Sequence, residues 1–460
     1  MAGLLRFGSI LALTGALVLG GCGGTPLPLT NQRTASSGLV ASPSTAPSTP
    51  SLSAAPAPPT PSPSLDRVAG WRADIDGLLT ARESTHPDPW HGMARADWVA
   101  AADAVKARIP EMTDDQALVE LVRLAAMPGW KGRDGHTGIF LTPGSGVHPY
   151  PIRLWQFSDG LVVTAARAPY EHLVGSRVTA IGGHPINDVI RLVEPLSPRD
   201  NPSTLLAFAP RYAGVSELLA GLGVIDHAGP ATFSLVGRDG KARDVTVEPI
   251  TVEEDVAWNS GQPTRLPPTG APWLRDQDKT LWWLYLPESR TLFVQYNAVE
   301  SGINGIADEI LARAKEEGVT RIVVDLRHNS GGDNTTMGHF EDVLRDPAIN
   351  QPGRLVVLMG RITFSAAANF VTDLEQSSFA TFAGEPMGGS PNLYGDAREI
   401  ELPYGGQSVY VASRYWQRST ADDRRVTIEP EIYATLSSAD YFAGRDPVLQ
   451  AVLDTPVAPG

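Results

Sequence analysis

The sequence of 460 residues has a single cysteine, Cys22, so no intramolecular disulfide can staple the fold. Its only lysines are Lys106, Lys131, Lys241, Lys279 and Lys315, which leaves residues 316–460 without one. No apolar run of 18 residues exists beyond the N-terminus, and that excludes an internal helical membrane span. There is no HExxH, no His-x-His and no cysteine cluster, and the acidic patches lack the spacing of a calcium loop. No metal and no cofactor is therefore expected. Positive charge is also scarce: 37 Lys and Arg against 51 Asp and Glu give a net charge of −14. Such a chain repels phosphate backbones, so nucleic acid is excluded as a partner.

What is present divides the chain into unlike parts. Residues 1–21 combine a positive charge with the short apolar run SILALTGALVLGG, the pattern of an export signal. Leu19-Gly20-Gly21-Cys22 resembles a bacterial lipoprotein cleavage box, which implies lipidation of Cys22 and a place at the outer face of the cytoplasmic membrane. Residues 22–64 read as a tether. Their proline and serine, with Arg33 as the only charge, cannot bury enough apolar surface to order the segment. Extended, it would reach roughly 100 Å.

Folding material begins near Leu65. Apolar residues recur at three- and four-residue spacing in WRADIDGLLTARE, DWVAAADAVKARI and TDDQALVELVRLAAM, so residues 65–144 read as a helical region ending in a glycine-rich loop. Residues 145–255 read as short strands and turns, with a hairpin in LWQFSDGLVVTAA turning at Asp159-Gly160. The polar stretch from Thr251 to Gln277 reads as a long loop. From Leu281 strands and helices alternate, which predicts an α/β core over residues 256–460 with a largely parallel or mixed sheet. The expected fold is thus α/β in class and multi-domain.

Four places can carry chemistry. RLVVLMG, RITF and SAAANFVTDLEQ put Ser365 at a strand-to-helix turn with alanines behind it. A helix start offers free N–H groups and a partial positive charge, and small neighbours leave room for a substrate; a nucleophile needs both, although a plain helix cap also uses serine there. The strand in RIVVDLRHNSGGDN ends in Gly331-Gly332, where backbone can approach a ligand closely or simply turn. Asp134-Gly135-His136-Thr137 places a histidine in a loop. ADDRRVTIEPEIY gathers Asp422, Asp423, Glu429 and Glu431, of which most must be solvated charge.

In chain order, DGHT, LVGSRVTAIGGHPI, VVDLRHNSGG, TFSAAANF, GEPMGG and IEPEI resemble the C-terminal-processing (tail-specific) serine peptidases, most closely their tricorn-like branch. The resemblance spans roughly residues 66–455, and DLRHNSGG followed by TFSAAANF is its most specific part. It implies that Ser365 is the nucleophile, that Gly331 or Gly332 and Ala366 supply backbone N–H groups to an oxyanion hole, and that LVGSRVTAIGGHPI belongs to a PDZ-like module gripping an extended peptide. One branch of the family activates its serine with a lysine that follows it. No lysine follows Ser365, the matching stretch offers Ser390, and arginine stays protonated. The other branch uses a histidine ahead of the PDZ-like segment, and His136 stands there. Its orienting acid comes from the C-terminal part, which implies Asp423, with Glu429 as the alternative; Asp134 could also orient the ring. The function implied is an exported serine endopeptidase acting on a polypeptide substrate. A non-catalytic peptide- or apolar-ligand-binding lipoprotein, or a hydrolase of non-peptide esters, would suit the same residues. Substrate preference and oligomeric state are not written in the sequence.

Overall fold

The computed structural model describes residues 66–140, 142–260, 271–316 and 318–456. The leader, Cys22 and the tether lie outside these residues. Among the described residues, no helix is long and apolar enough to cross a membrane.

The C-terminal half is built on a mixed six-stranded sheet. Its order is Ile432–Tyr433, Thr381–Gly384, Leu355–Met359, Arg321–Asp325, Thr291–Tyr296 and Leu281–Leu286. All neighbours run parallel except the last pair, a hairpin. The near-continuous apolar runs in these strands are what a sheet covered on both faces requires. Alternation sorts them. Ile322, Val324, Leu355, Val357 and Met359 join the cluster packed by the helices Asn304–Ala314, Gly338–Arg345 and Ala366–Ser377. Val323, Val356, Leu358 and Phe293 join the opposite cluster, closed by the helix Pro447–Asp454.

The N-terminal half holds the helices Arg67–Thr85, Arg95–Arg108 and Asp114–Ala126, the third begun by a reciprocal capping box between Thr113 and Gln116. A second sheet follows, in the order Ile152–Phe157, Gly160–Ala166, Arg177–Ile181, Ala231–Val236 and Ala242–Val247, and its neighbours are antiparallel. The helices Ile186–Val193, Pro202–Tyr212 and Ser216–Gly221 interrupt it between its third and fourth strands. One apolar cluster runs from Trp71 and Leu121 through Val163 and Phe233 to Val409. The three helices and the second sheet are therefore a single packed unit, and the strand Ser408–Val411 from the C-terminal half plugs into it by pairing with Gly138–Ile139.

Local details differ from the expectations in two places. The hairpin turns at Ser158-Asp159, one residue earlier than expected, because Gly160 already pairs with Phe157. The loop expected from Thr251 opens instead with the helix Val252–Ser260. Its start is a capping box: Glu254 N–H donates to Thr251 Oγ at 3.2 Å and Thr251 N–H to Glu254 Oε2 at 3.1 Å. Thr-x-x-Glu is a start signal that the polar composition around it obscured.

Phe293 is fully buried at the centre of the core sheet, against Trp282 and beside Val323. Phe293→Ala should lower stability by about 3–5 kcal/mol, the usual cost of such a cavity, as read by chemical denaturation. A loss below 1 kcal/mol would mean that this sheet is not the core.

Candidate active site

Two adjacent parallel strands, Arg321–Asp325 and Leu355–Met359, deliver their following loops side by side at the carboxyl edge of the sheet, where open α/β sheets place ligands. The loops are sewn together. Thr363 Oγ donates to the Leu326 carbonyl at 2.9 Å, and Phe364 N–H donates to the Asn329 carbonyl at 3.3 Å. Ser365 closes the second loop with φ 54° and ψ −126°. A non-glycine residue there carries strain of about 1–3 kcal/mol and turns its side chain out at a sharp elbow. Its hydroxyl caps no N–H of the helix Ala366–Ser377. It lies instead 3.0 Å from Nε2 of His136.

His136 is 1% exposed. Its ring stacks on Phe364 with centroids 4.5 Å apart, and Phe364 in turn meets the edge of Phe208. The loop is pinned on both sides of the histidine. Gly135 N–H donates to Asp200 Oδ1 at 2.6 Å, and Ala412 N–H donates to Thr137 Oγ at 3.0 Å. Burial pushes the imidazole down to about 4; the negative charges of Asp134 and Asp396 and the nearby Tyr394 carbonyl oppose this without overcoming it. Nδ1 is buried without an aligned hydrogen-bond partner, so the Tyr394 carbonyl acts as a neighbouring dipole rather than a full acceptor. The ring is neutral at ordinary pH and can accept a proton from Ser365.

The glycine pair packs against the elbow. A Cβ on Gly331 would stand 2.7 Å from Ser365 Cβ, and one on Gly332 would stand 2.1 Å from the Val299 carbonyl oxygen. Both glycines have positive φ, so each is there for two independent reasons. Their N–H groups are not equivalent. Gly331 N–H donates to Asn329 Oδ1 at 3.0 Å. The Gly331 carbonyl accepts from Val299 N–H at 2.9 Å, and in a trans peptide the Gly332 N–H must point the opposite way. Neither Gly332 N–H nor Ala366 N–H is engaged among the described residues.

The acids fall out differently from expectation. The Asp423 carboxylate does not reach His136. Its oxygens accept from Ser419 Oγ at 2.7 Å and from Arg425, whose hydrogen bonds hold it below the usual carboxylate range. Arg425 also clasps Glu375, so Asp423 belongs to a surface ion-pair network. Glu429 is exposed and makes no bond to the imidazole. Asp134 is fully buried, with Oδ2 3.2 Å from Arg82 and 3.4 Å from His86 Nε2.

His86, His91 and Asp134 turn one ligand atom each toward a common point, all within 4.8 Å of one another. A cation does not fit there. His86 Nδ1 accepts from Asp88 N–H at 3.0 Å, so its ring proton sits on Nε2, the atom facing the point. Arg82 already supplies a positive charge to Asp134.

Two residues that the sequence did not single out hold the site together. Asp200 accepts from Gly135 N–H with one oxygen and from Ser390 N–H with the other, at 3.1 Å. Asn201 Nδ2 lies 2.8–3.0 Å from the Val426, Met387 and Gly388 carbonyls. Ser390, which the resemblance aligned with a lysine, is buried and donates to the Val426 carbonyl at 2.8 Å. The one signal in the sequence was Asn201-Pro202, an N-cap followed by proline. It marks a helix start and says nothing of the loops that Asp200 and Asn201 reach.

No family model matches the chain, and no curated protein matches it. Among solved structures, mature CPAF matches over 84% of this chain and 99% of its own, at 11% identity and a TM-score of 0.59. Mature CPAF complexed with lactacystin matches over 81% and 96%, at 12% identity and a TM-score of 0.56. The chain has the fold of mature CPAF. At such identities the likeness is one of fold, and the chemistry must be argued from the residues of this chain.

Burial raises the Asp200 carboxyl from 3.8 to about 7, more than its two backbone hydrogen bonds lower it. A group raised on folding contributes stability that is complete below its unfolded value and is lost as pH climbs through the folded one. The stability of the wild type relative to Asp200→Asn should therefore fall between about pH 4 and pH 7. Denaturation at stepped pH checks this, and a difference independent of pH in that window would refute it.

Proposed function

We propose that this chain is a serine peptidase that cleaves a polypeptide by acyl transfer. The observation that carries the proposal is the 3.0 Å contact between His136 Nε2 and Ser365 Oγ. It brings a neutral, buried base to a hydroxyl set on a strained elbow. His136 takes the Ser365 proton as Oγ attacks the scissile carbonyl carbon. The oxyanion that forms is held by the N–H groups of Ala366 and Gly332, the first of them at the positive end of a helix. His136 then gives its proton to the departing amine nitrogen, and the amide bond breaks. A water molecule, deprotonated by His136, hydrolyses the Ser365 ester and returns the enzyme.

An endopeptidase is the finer reading. It draws on the resemblance to tail-specific peptidases and on a second sheet whose outer strands, Ile152–Phe157 and Ala242–Val247, leave edges on which a peptide can add as a strand. The place of action proposed is the outer face of the cytoplasmic membrane, with Cys22 lipidated. That rests on residues 1–22 alone.

A fluorophosphonate probe should label the wild type and fail to label Ser365→Ala. An unlabelled wild type would leave a binding protein with a peptidase fold. Because the imidazole titrates near 4, the base stays neutral down to that pH. The acid limb of kcat/KM should accordingly fall near pH 4 and not near 6.5. An acid limb at 6.5 would rule out a buried His136 as the base.

A further inference from the structure

The imidazole lacks the partner that a triad normally gives it. A base that becomes an imidazolium in the transition state is stabilised by a carboxylate beyond its far nitrogen. The acid implied by the family resemblance, Asp423, is spent on Ser419 and Arg425. Two charges act on the His136 ring, and Asp134 is the larger; Asp396 is the other. The Asp396 side chain is 45% exposed, accepts from Trp416 Nε1 at 3.2 Å and lies 3.4 Å from Arg414, so water and a cation both screen it.

Asp134 is in the opposite situation. It is fully buried, two residues before the histidine in the same loop. Its two oxygens are used differently. Oδ2 faces Arg82 and His86, while Oδ1 is buried with no hydrogen-bond partner among the described residues. Nδ1 of His136 is also buried, and among the described residues it has no aligned hydrogen bond, only the Tyr394 carbonyl as a neighbouring dipole. With Nε2 accepting from Ser365, Nδ1 carries the proton and meets a carbonyl dipole rather than a charge, while an acceptor of the same loop, Asp134 Oδ1, is left over. An unsatisfied buried carboxylate oxygen is costly unless something uses it.

The clamp on the other oxygen has its own support. Arg82 is 2% exposed, and its Nε donates to the Pro89 carbonyl at 2.7 Å. His86 is fixed by Asp88 N–H and sandwiched near His91 and Tyr394. Burial pushes the Asp134 carboxyl up, but His86, Arg82 and His91 together hold it below the usual carboxylate range. The group stays ionised at any pH where the base is neutral.

We propose that Asp134, clamped by Arg82 and His86 of the N-terminal helical region, is the positioning acid of this site, stabilising the His136 imidazolium in the role the resemblance implied for Asp423. The inference rests on His136 acting as the base, and two readouts separate its failure from failure of that reading. The first is the rate of fluorophosphonate inactivation at pH 7. The second needs no turnover: the His136 imidazole titration followed by NMR in a Ser365→Ala background.

Asp134→Asn should slow inactivation by about 10²–10⁴-fold and lower the His136 titration midpoint. Asp423→Asn and Asp396→Asn should stay within about threefold of wild type in rate. Because Asp134 is buried, its asparagine variant is paired with a second comparison. His86→Gln keeps an N–H donor toward Oδ2 and should restore most of the rate and midpoint lost in His86→Ala. A folded Asp134→Asn with unchanged rate and midpoint overturns the proposal, and so does a large loss in Asp423→Asn or Asp396→Asn. If the wild type resists the probe, the peptidase reading fails and the titration alone decides the role of Asp134.

Discussion

A hydroxyl and an imidazole 229 positions apart in sequence meet at 3.0 Å, and the rest of the architecture serves that contact. Ser365 is held by the core sheet and His136 by the helical N-terminal unit. The contact survives only if the two halves are docked rigidly. Three devices dock them. The strand Ser408–Val411 leaves the C-terminal half to pair with Gly138–Ile139, next to the histidine. Asp200 bridges the backbone of the histidine loop and that of Ser390. Asn201 gathers carbonyls from the Met387–Gly388 turn and from Val426. Each uses buried backbone groups that would otherwise be unsatisfied, so displacing the halves would cost hydrogen bonds as well as packing.

Burial then sets the chemistry. Stacking His136 on Phe364 removes it from water and favours the neutral ring. That suits accepting a proton and opposes holding one, since the imidazolium of the proposed mechanism would be a charge in a low-dielectric place. A nearby permanent carboxylate resolves the conflict only if it stays ionised at such depth. Arg82 and His86 supply that condition for Asp134, and they come from the first helix and the turn after it. The helical region thereby has an electrostatic part in the site besides covering the second sheet.

The elbow depends on unusual backbone conformations. Ser365 takes a backbone conformation that its side chain disfavours, and the glycine pair opposite takes two more with positive φ. The sheet beneath can hold them because both of its faces are filled and its central strands are parallel and buried. The elbow turns the hydroxyl away from capping duty and toward His136. Among the described residues, the Ala366 and Gly332 N–H groups beside it have no partners of their own.

Much of the fold was legible beforehand. The strands and helices after Leu281, and the three N-terminal helices, follow from apolar period and capping residues, because those patterns are imposed by each element's own buried face. Ser365, His136 and the glycine pair could be picked out as candidates by residue type and local turn, and the family resemblance, not the residues alone, gave them roles. The helix Val252–Ser260 was hidden by polar composition around a four-residue cap signal. The surroundings of the acids were hidden for a deeper reason. A carboxylate's role depends on which partners consume its oxygens, and for Asp423 those are Ser419 and Arg425, while for Asp134 they include Arg82, 52 positions away. Asp200 and Asn201 were invisible for the same cause. The order of amino acids settles which segments become strands, helices and elbows, since neighbours along the chain dictate them; which charge faces which base is decided only when distant segments pack, because electrostatic pairing depends on distance in space and on exclusion of water.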